Sequence, residues 1–162
     1  ILYGGRTDEH ERFIEPTLLD MHISLGDPDA DAKASSHEVL TEEIFGPVLP
    51  VLTFNNIADV AGYITRREKP LAFYYFGREA DGWSIIRHTS SGGACINDTI
   101  MHIANEHVPF GGVGNSGMGS YHGEESYRAF SHYRTVVATG TWIDLPFRYM
   151  PYRMFSLVKK IV

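Results

Sequence analysis

The sequence holds 162 residues, 43% of them apolar and 21% charged, the balance of a soluble globular chain with room for one ordinary domain. Twenty acidic against 14 basic residues leave a net charge of −6 with no Lys/Arg cluster, which argues against nucleic acid as a partner. A single cysteine, Cys95, excludes an internal disulfide and an all-cysteine metal site and fits a reducing, cytoplasmic compartment.

The chain opens on Ile1-Leu2-Tyr3-Gly4-Gly5-Arg6, without an initiator methionine or the charged-then-apolar order of a secretory signal, and reads as a piece of a longer protein. Residues 1–3 and 13–19 suit short strands, the second crossed by Pro16 as an edge or bulge would be. Residues 25–38 are small, polar and acidic, and predict an exposed loop. Residues 48–54 form a β-rich run. A helix follows, capped by Asn55 or Asn56, with Ile57, Val60, Ala61 and Ile64 on one face. Residues 71–76 suit a buried strand, and Trp83, Ile85 and Ile86 line a second helix. Residues 94–96 form another short strand. A glycine-rich loop spans 109–119, and residues 123–133 predict a helix with Tyr127 and Phe130 inward. Residues 135–139 read as a strand. Pro151 opens an amphipathic tail over 148–162, suited to packing on protein or lying on a membrane surface but too short to span one. Strands alternating with helices at this spacing predict an α/β fold.

Four patterns invite chemistry and carry little of it. Gly112-Val113-Gly114-Asn115-Ser116-Gly117 matches the dinucleotide pattern GxGxxG, yet Pro109 precedes it and Val137 stands where an acidic ribose ligand belongs. Asp27, Asp29, Asp31 and Glu38 fall on a calcium-loop template whose turn glycine is replaced by Ala32. His102 and His107 lie about 140° apart on a helix, so they do not share a face as paired metal ligands would, and read as structural histidines. Cys95 sits in an apolar run with no adjacent base evident, and reads as a small hydrophobe rather than a nucleophile.

Two segments are far more specific. Glu42-Glu43-Ile44-Phe45-Gly46-Pro47-Val48-Leu49-Pro50 resembles the EEIFGPVLP signature of aldehyde dehydrogenases, and the run from Pro109 to Gly123 resembles the PFGGVGxSGMGxYHG loop of their class 3 branch. Between them, Glu68-Lys69-Pro70-Leu71-Ala72, Ser90-Ser91-Gly92-Gly93 and Asn97-Asp98-Thr99-Ile100-Met101-His102 are similar to that branch in order and spacing. The likeness runs from Tyr3 to Val137.

The resemblance implies a partial catalytic domain, α/β with a mostly parallel sheet flanked by helices. It implies an NAD- or NADP-dependent parent that oxidises hydrophobic or aromatic aldehydes to carboxylic acids through a cysteine thioester. The family's GQxC nucleophile motif, general-base glutamate and dinucleotide-binding domain have no counterpart in this sequence, so no catalytic residue is assigned and the chain alone is expected to be inactive. By resemblance Glu43 takes the nicotinamide ribose hydroxyls, a task for which a carboxylate that accepts two charge-assisted hydrogen bonds is suited. Phe45 packs beside the nicotinamide, and His122 contacts coenzyme or loop backbone. Phe110, Ile100 and Ile103 form the apolar wall of the aldehyde tunnel, with Asn97 near the reacting centre. Without the family, Glu43 is a surface carboxylate and the apolar residues are core. Residues 1–134 are then the catalytic part, 135–147 an oligomerisation strand and connector, and 148–162 the tail. The expected partners are an aldehyde, the missing N-terminal half and, in the full-length protein, a second copy. Two other readings compete: a non-catalytic oligomerisation module, and a small hydrolase using Cys95.

Overall fold

The computed structural model describes residues 1–142, 149–151, 156 and 159–160, in two units, Ile1–Phe130 and Ser131–Val162. In the first unit, a short antiparallel pair joins β1 (Thr7–Asp8) to β2 (Phe13–Ile14), and the Asp8 carboxylate holds the turn by accepting the N–H groups of His10 and Glu11 at 3.0 and 3.1 Å. Pro16 ends this pair, and β3 (Thr17–Leu25) begins directly after it. The expected strand over residues 13–19 is therefore two strands. Residues 1–3 contribute only the bridge from Tyr3 to Leu18.

β3 runs parallel to β4 (Val48–Phe54), from Thr17 opposite Val48 to Leu25 opposite Phe54, with a slip in register between Asp20 and Ser24. Pro50 sits within β4 opposite Leu19, on a two-stranded ladder whose other edge demands no amide donor. Parallel strands require a crossover. Here the expectation of an exposed loop over residues 25–38 fails: the segment holds α1 (Ala30–Ser35), followed by a 3₁₀ turn (Glu38–Leu40). Ala30 and Ala34 lie one turn apart and are both buried. With Ile23 they form the centre of a small core, and Met21, Leu40, Leu52 and Tyr63 pack against it. Two alanines suffice because a small side chain lets the helix lie close on the strand.

Asn56 caps α2 (Ile57–Thr65), its Oδ1 accepting the Ala58 N–H at 2.9 Å, and Ile57, Val60, Ala61 and Ile64 are half-buried as their spacing predicts. Asp31 ties α1 to the end of α2 through Arg66 at 2.7 Å and Arg67 at 2.9 Å.

A second parallel pair, β5 (Ala72–Tyr75) with β6 (Gly93–Ile96), is crossed by α3 (Glu79–His88). Gly82 and Ile85 are the buried residues of α3; Trp83, expected to line the helix with Ile85 and Ile86, is exposed, and its indole donates to Glu79 at 3.1 Å. The remaining elements are α4 (Met101–Ala104) and α5 (Gly123–Ala129). Tyr127 and Phe130, expected inward, are exposed as well, Phe130 at 93%. Ser126 closes the first turn of α5, its Oγ accepting the His122 N–H at 2.8 Å.

In the second unit, residues 131–142 carry no regular secondary structure, so the strand expected over 135–139 is not formed there; an extended run becomes a strand only with a partner, and it has none among the described residues. The amphipathic tail expected over 148–162 lies largely outside the described residues. Among the described residues no helix is long and apolar enough to cross a membrane.

Candidate functional site

Phe110 and Tyr121 close the glycine loop at its two ends, exchanging backbone hydrogen bonds of 2.9 Å in both directions. Within the loop the glycines lie against backbone. A Cβ on Gly111 would strike the Gly119 carbonyl, and one on Gly112 the Ser116 carbonyl. Ser116 Oγ accepts the Val113 N–H at 2.9 Å and donates to the Val113 carbonyl at 3.0 Å across a 3₁₀ turn (Gly114–Ser116). The GxGxxG pattern is thus a loop closed on itself, not the strand-to-helix turn that would cradle a pyrophosphate. An open cleft of about 330 Å³ lies along it, lined in part by Leu71, Phe110, Met118 and Tyr121.

The Phe110 ring is surrounded. It stacks on His122 at 5.9 Å and 26°, meets Tyr121 edge-on at 5.6 Å, and tilts against His102 at 5.7 Å. His102 in turn meets Tyr74 at 5.6 Å. Its Nδ1 lies 3.5 Å from Cys95 Sγ. The expectation that Cys95 has no adjacent base is therefore overturned. Seven residues separate the pair, and the turn after β6 folds α4 back so that they meet. The signal in the sequence was Gly93, whose missing Cβ leaves the space the His102 ring occupies. His102 Nε2 and His122 Nδ1 are buried with no hydrogen-bond partner among the described residues. Among the described residues the pair thus lacks the third group that orients the base in nucleophilic sites.

Asn97 ends β6 with a left-handed backbone, φ 57°, where asparagine is among the better tolerated residues. Its side-chain amide accepts the Gly77 N–H at 2.8 Å and donates to the Gly77 carbonyl at 3.0 Å. Asn97 thereby locks the end of β6 to the chain leaving β5. Ile100 heads α4 at φ 65°, a strained setting for a β-branched residue, and is exposed; Ile103, one turn on, is half-buried.

Glu43 and Phe45 stand apart from these rings in sequence and in support. They lie in the loop between the 3₁₀ turn and β4. The loop is anchored at one end by the Glu42 N–H donating to the Glu38 carbonyl at 2.9 Å, and at the other by the Pro47 carbonyl accepting from Thr17 at 2.8 Å. Both side chains are exposed, Phe45 at 95%, and Glu43 makes no side-chain hydrogen bond or ion pair among the described residues.

Two carboxylates of the calcium template, Asp29 and Asp31, are spent on cations. Asp29 pairs with Lys33 at 2.8 Å, which holds the Asp29 carboxyl below its ordinary range and pushes the Lys33 ammonium up. The Arg67 hydrogen bond, aided by Arg66, lowers Asp31 likewise. Among the described residues no group of three or more His, Cys, Asp or Glu side chains is placed to hold a metal ion.

Residues 1–136 match the family model described as the aldehyde dehydrogenase family. The chain is 42% identical over 161 residues to 4,4'-diaponeurosporen-aldehyde dehydrogenase of Staphylococcus aureus, covering 98% of this chain and 33% of that protein. It is 45% identical over 141 residues to aldehyde dehydrogenase family 3 member A2 of Rattus norvegicus, covering 86% and 27%. Among solved structures, a substrate-bound state of Staphylococcus aureus AldH matches with a TM-score of 0.76 at 41% identity, over 99% of this chain and 33% of that one. The chain spans about a third or less of the length of these relatives.

Proposed function

The chain belongs to the aldehyde dehydrogenase family, and from that premise we propose that it forms the later part of the catalytic domain of an NAD- or NADP-dependent enzyme oxidising hydrophobic or aromatic aldehydes to carboxylic acids. The observation that carries this reading is the Glu43–Phe45 pair: a carboxylate unpaired among the described residues and a bare phenyl ring, on a loop anchored at both ends. Their chemistry fits the ribose–nicotinamide end of the coenzyme. Glu43 accepts from the ribose hydroxyls, Phe45 covers the pyridine ring, and Gly46-Pro47 fixes the turn between this pair and β4. The coenzyme, when bound, supplies the hydride acceptor. Phe110, Ile100 and Ile103 shape the apolar path of the aldehyde, and His122 supports that wall from behind Phe110. Asn97 borders the substrate through the strand end it holds.

The nucleophilic cysteine comes from polypeptide upstream, which also completes the coenzyme pocket. Most residues of both parallel strand pairs are only half-buried, which supports this, because parallel sheets are normally covered on both faces. Residues 135–147 act as the subunit-contact strand and connector of a homodimer, and 148–162 as a tail for a subunit or a membrane surface. The full-length enzyme is expected to reduce NAD or NADP in an aldehyde-dependent manner, while this chain alone shows no turnover. Turnover by the isolated chain, abolished by alkylating Cys95, would instead favour the cysteine hydrolase reading. The exposed Tyr133, Val136, Val137 and Trp142 favour the alternative of a non-catalytic oligomerisation module, which predicts stable self-association with no response to coenzyme in any form of the protein.

A further inference from the structure

The ring contacts of Phe110 divide into two kinds. Tyr121 and His122 belong to the return limb of the glycine loop, and Tyr121 is bridged to Phe110 by backbone hydrogen bonds. These two rings share the loop with Phe110 and do not tie it to the β5–β6 pair. His102 is different. It sits on α4, next to Ile103 and two residues after Ile100. Its Nδ1 is 3.5 Å from Cys95 Sγ on β6, and its ring meets Tyr74 of β5 at 5.6 Å. The ring also lies so close over Gly93 that no Cβ would fit between them. Among the described ring contacts, the one with His102 is what ties Phe110 to the β5–β6 pair.

We propose that His102 is a positioning residue: it sets where the Phe110 ring stands against Ile100 and Ile103, and through that ring it sets the preference between bulky and short aldehydes. The inference rests on the reading of Phe110 as part of the aldehyde wall. His102 touches neither substrate nor coenzyme. Its Cys95 contact fixes the orientation of the imidazole, as a hydrogen bond in either ring tautomer. Its edge and face do the packing.

The test uses the full-length enzyme, with benzaldehyde and propanal as probes and the ratio of their kcat/KM values as the readout. His102→Ala is expected to change that ratio about tenfold, chiefly through the KM for benzaldehyde, the scale of a lost pocket contact. His102→Phe keeps a ring in place and is expected to restore most of the preference. Cys95→Ala frees the imidazole and shifts the ratio in the same direction by less. If His102→Ala does not fold, His102→Leu fills the volume without a ring and carries the same expectation. A shift in Phe110→Ala with a parental ratio in the His102 variants overturns this inference and leaves the wall reading standing. No shift in Phe110→Ala overturns the wall reading itself, and this inference with it. Equal losses for both aldehydes in His102→Ala, or no rescue by His102→Phe, reduce His102 to a purely structural role and overturn the proposal.

Discussion

Phe45 and Phe110 are phenyl rings assigned to opposite sides of one reaction, and the molecule supports them in opposite ways. Phe110 is half-buried among three rings, with its backbone pinned by two hydrogen bonds of 2.9 Å. Phe45 is 95% exposed, and only its loop is held. The wall side of the site is therefore organised by contacts within a short stretch of chain, from β6 to α5. The side we assign to the coenzyme is fixed in its backbone alone, and its side chains are bare. A preorganised wall spends stability on shape, whereas an open limb spends none until something binds.

The sharpest way to break the contrast is to disrupt the glycine loop. Gly112→Ala places a Cβ against the Ser116 carbonyl, where backbone must move, and is expected to cost about 3 kcal/mol or more of stability. An unchanged denaturation midpoint would show that the loop does not organise the wall. On the open limb the contrast predicts the reverse pattern for Glu43→Gln. Stability stays within about 0.5 kcal/mol of the parent, while coenzyme binding by the full-length enzyme weakens by about 1.5–3 kcal/mol. Titration showing equal coenzyme affinity would remove Glu43 from the site.

Asn97→Ala tests the wall from its scaffold. Losing both hydrogen bonds to Gly77 is expected to cost about 1–2 kcal/mol in thermal or chemical unfolding. A parental melting curve with a raised KM for aldehyde would mean that Asn97 serves the substrate rather than the strand end. The smallest effect belongs to the clamp beneath the open limb. Arg67 and Arg66 lower the Asp31 carboxyl from its ordinary 3.8, so its contribution is complete above that value and is lost as pH falls through the lower, folded value. Exposure and salt screen the pair, so the loss is slight. Acid titration of Asp31→Asn is expected to show a shallower loss of stability than the parent; identical curves would leave the clamp without a role.

Much of this was legible in the residues, and the exceptions share a cause. The face of α2, its Asn56 cap, β4 and the β5–α3–β6 crossover follow from periodicity and capping, which are local properties. The family segments single out Glu43, Phe45 and Phe110, whose roles are our proposal, without any structure. α1 was missed because its buried side chains are alanines, Ala30 and Ala34, which give no apolar signal in an acidic stretch. Tyr127 and Phe130 were read as inward, and Trp83 as lining α3, because large apolar residues usually are buried; what decides their exposure lies outside their own helices. The meeting of Cys95 with His102 depends on the turn after β6 and on the space over Gly93, neither of which is a spacing rule.

The central claim is that Glu43 and Phe45 hold the ribose–nicotinamide end of the coenzyme. A crystal structure of the full-length enzyme with NAD or NADP bound tests it most directly. The account predicts the Glu43 carboxylate within hydrogen-bond reach of both ribose hydroxyls and the Phe45 ring against the pyridine. Either side chain pointing into solvent, with the coenzyme in place, would contradict it.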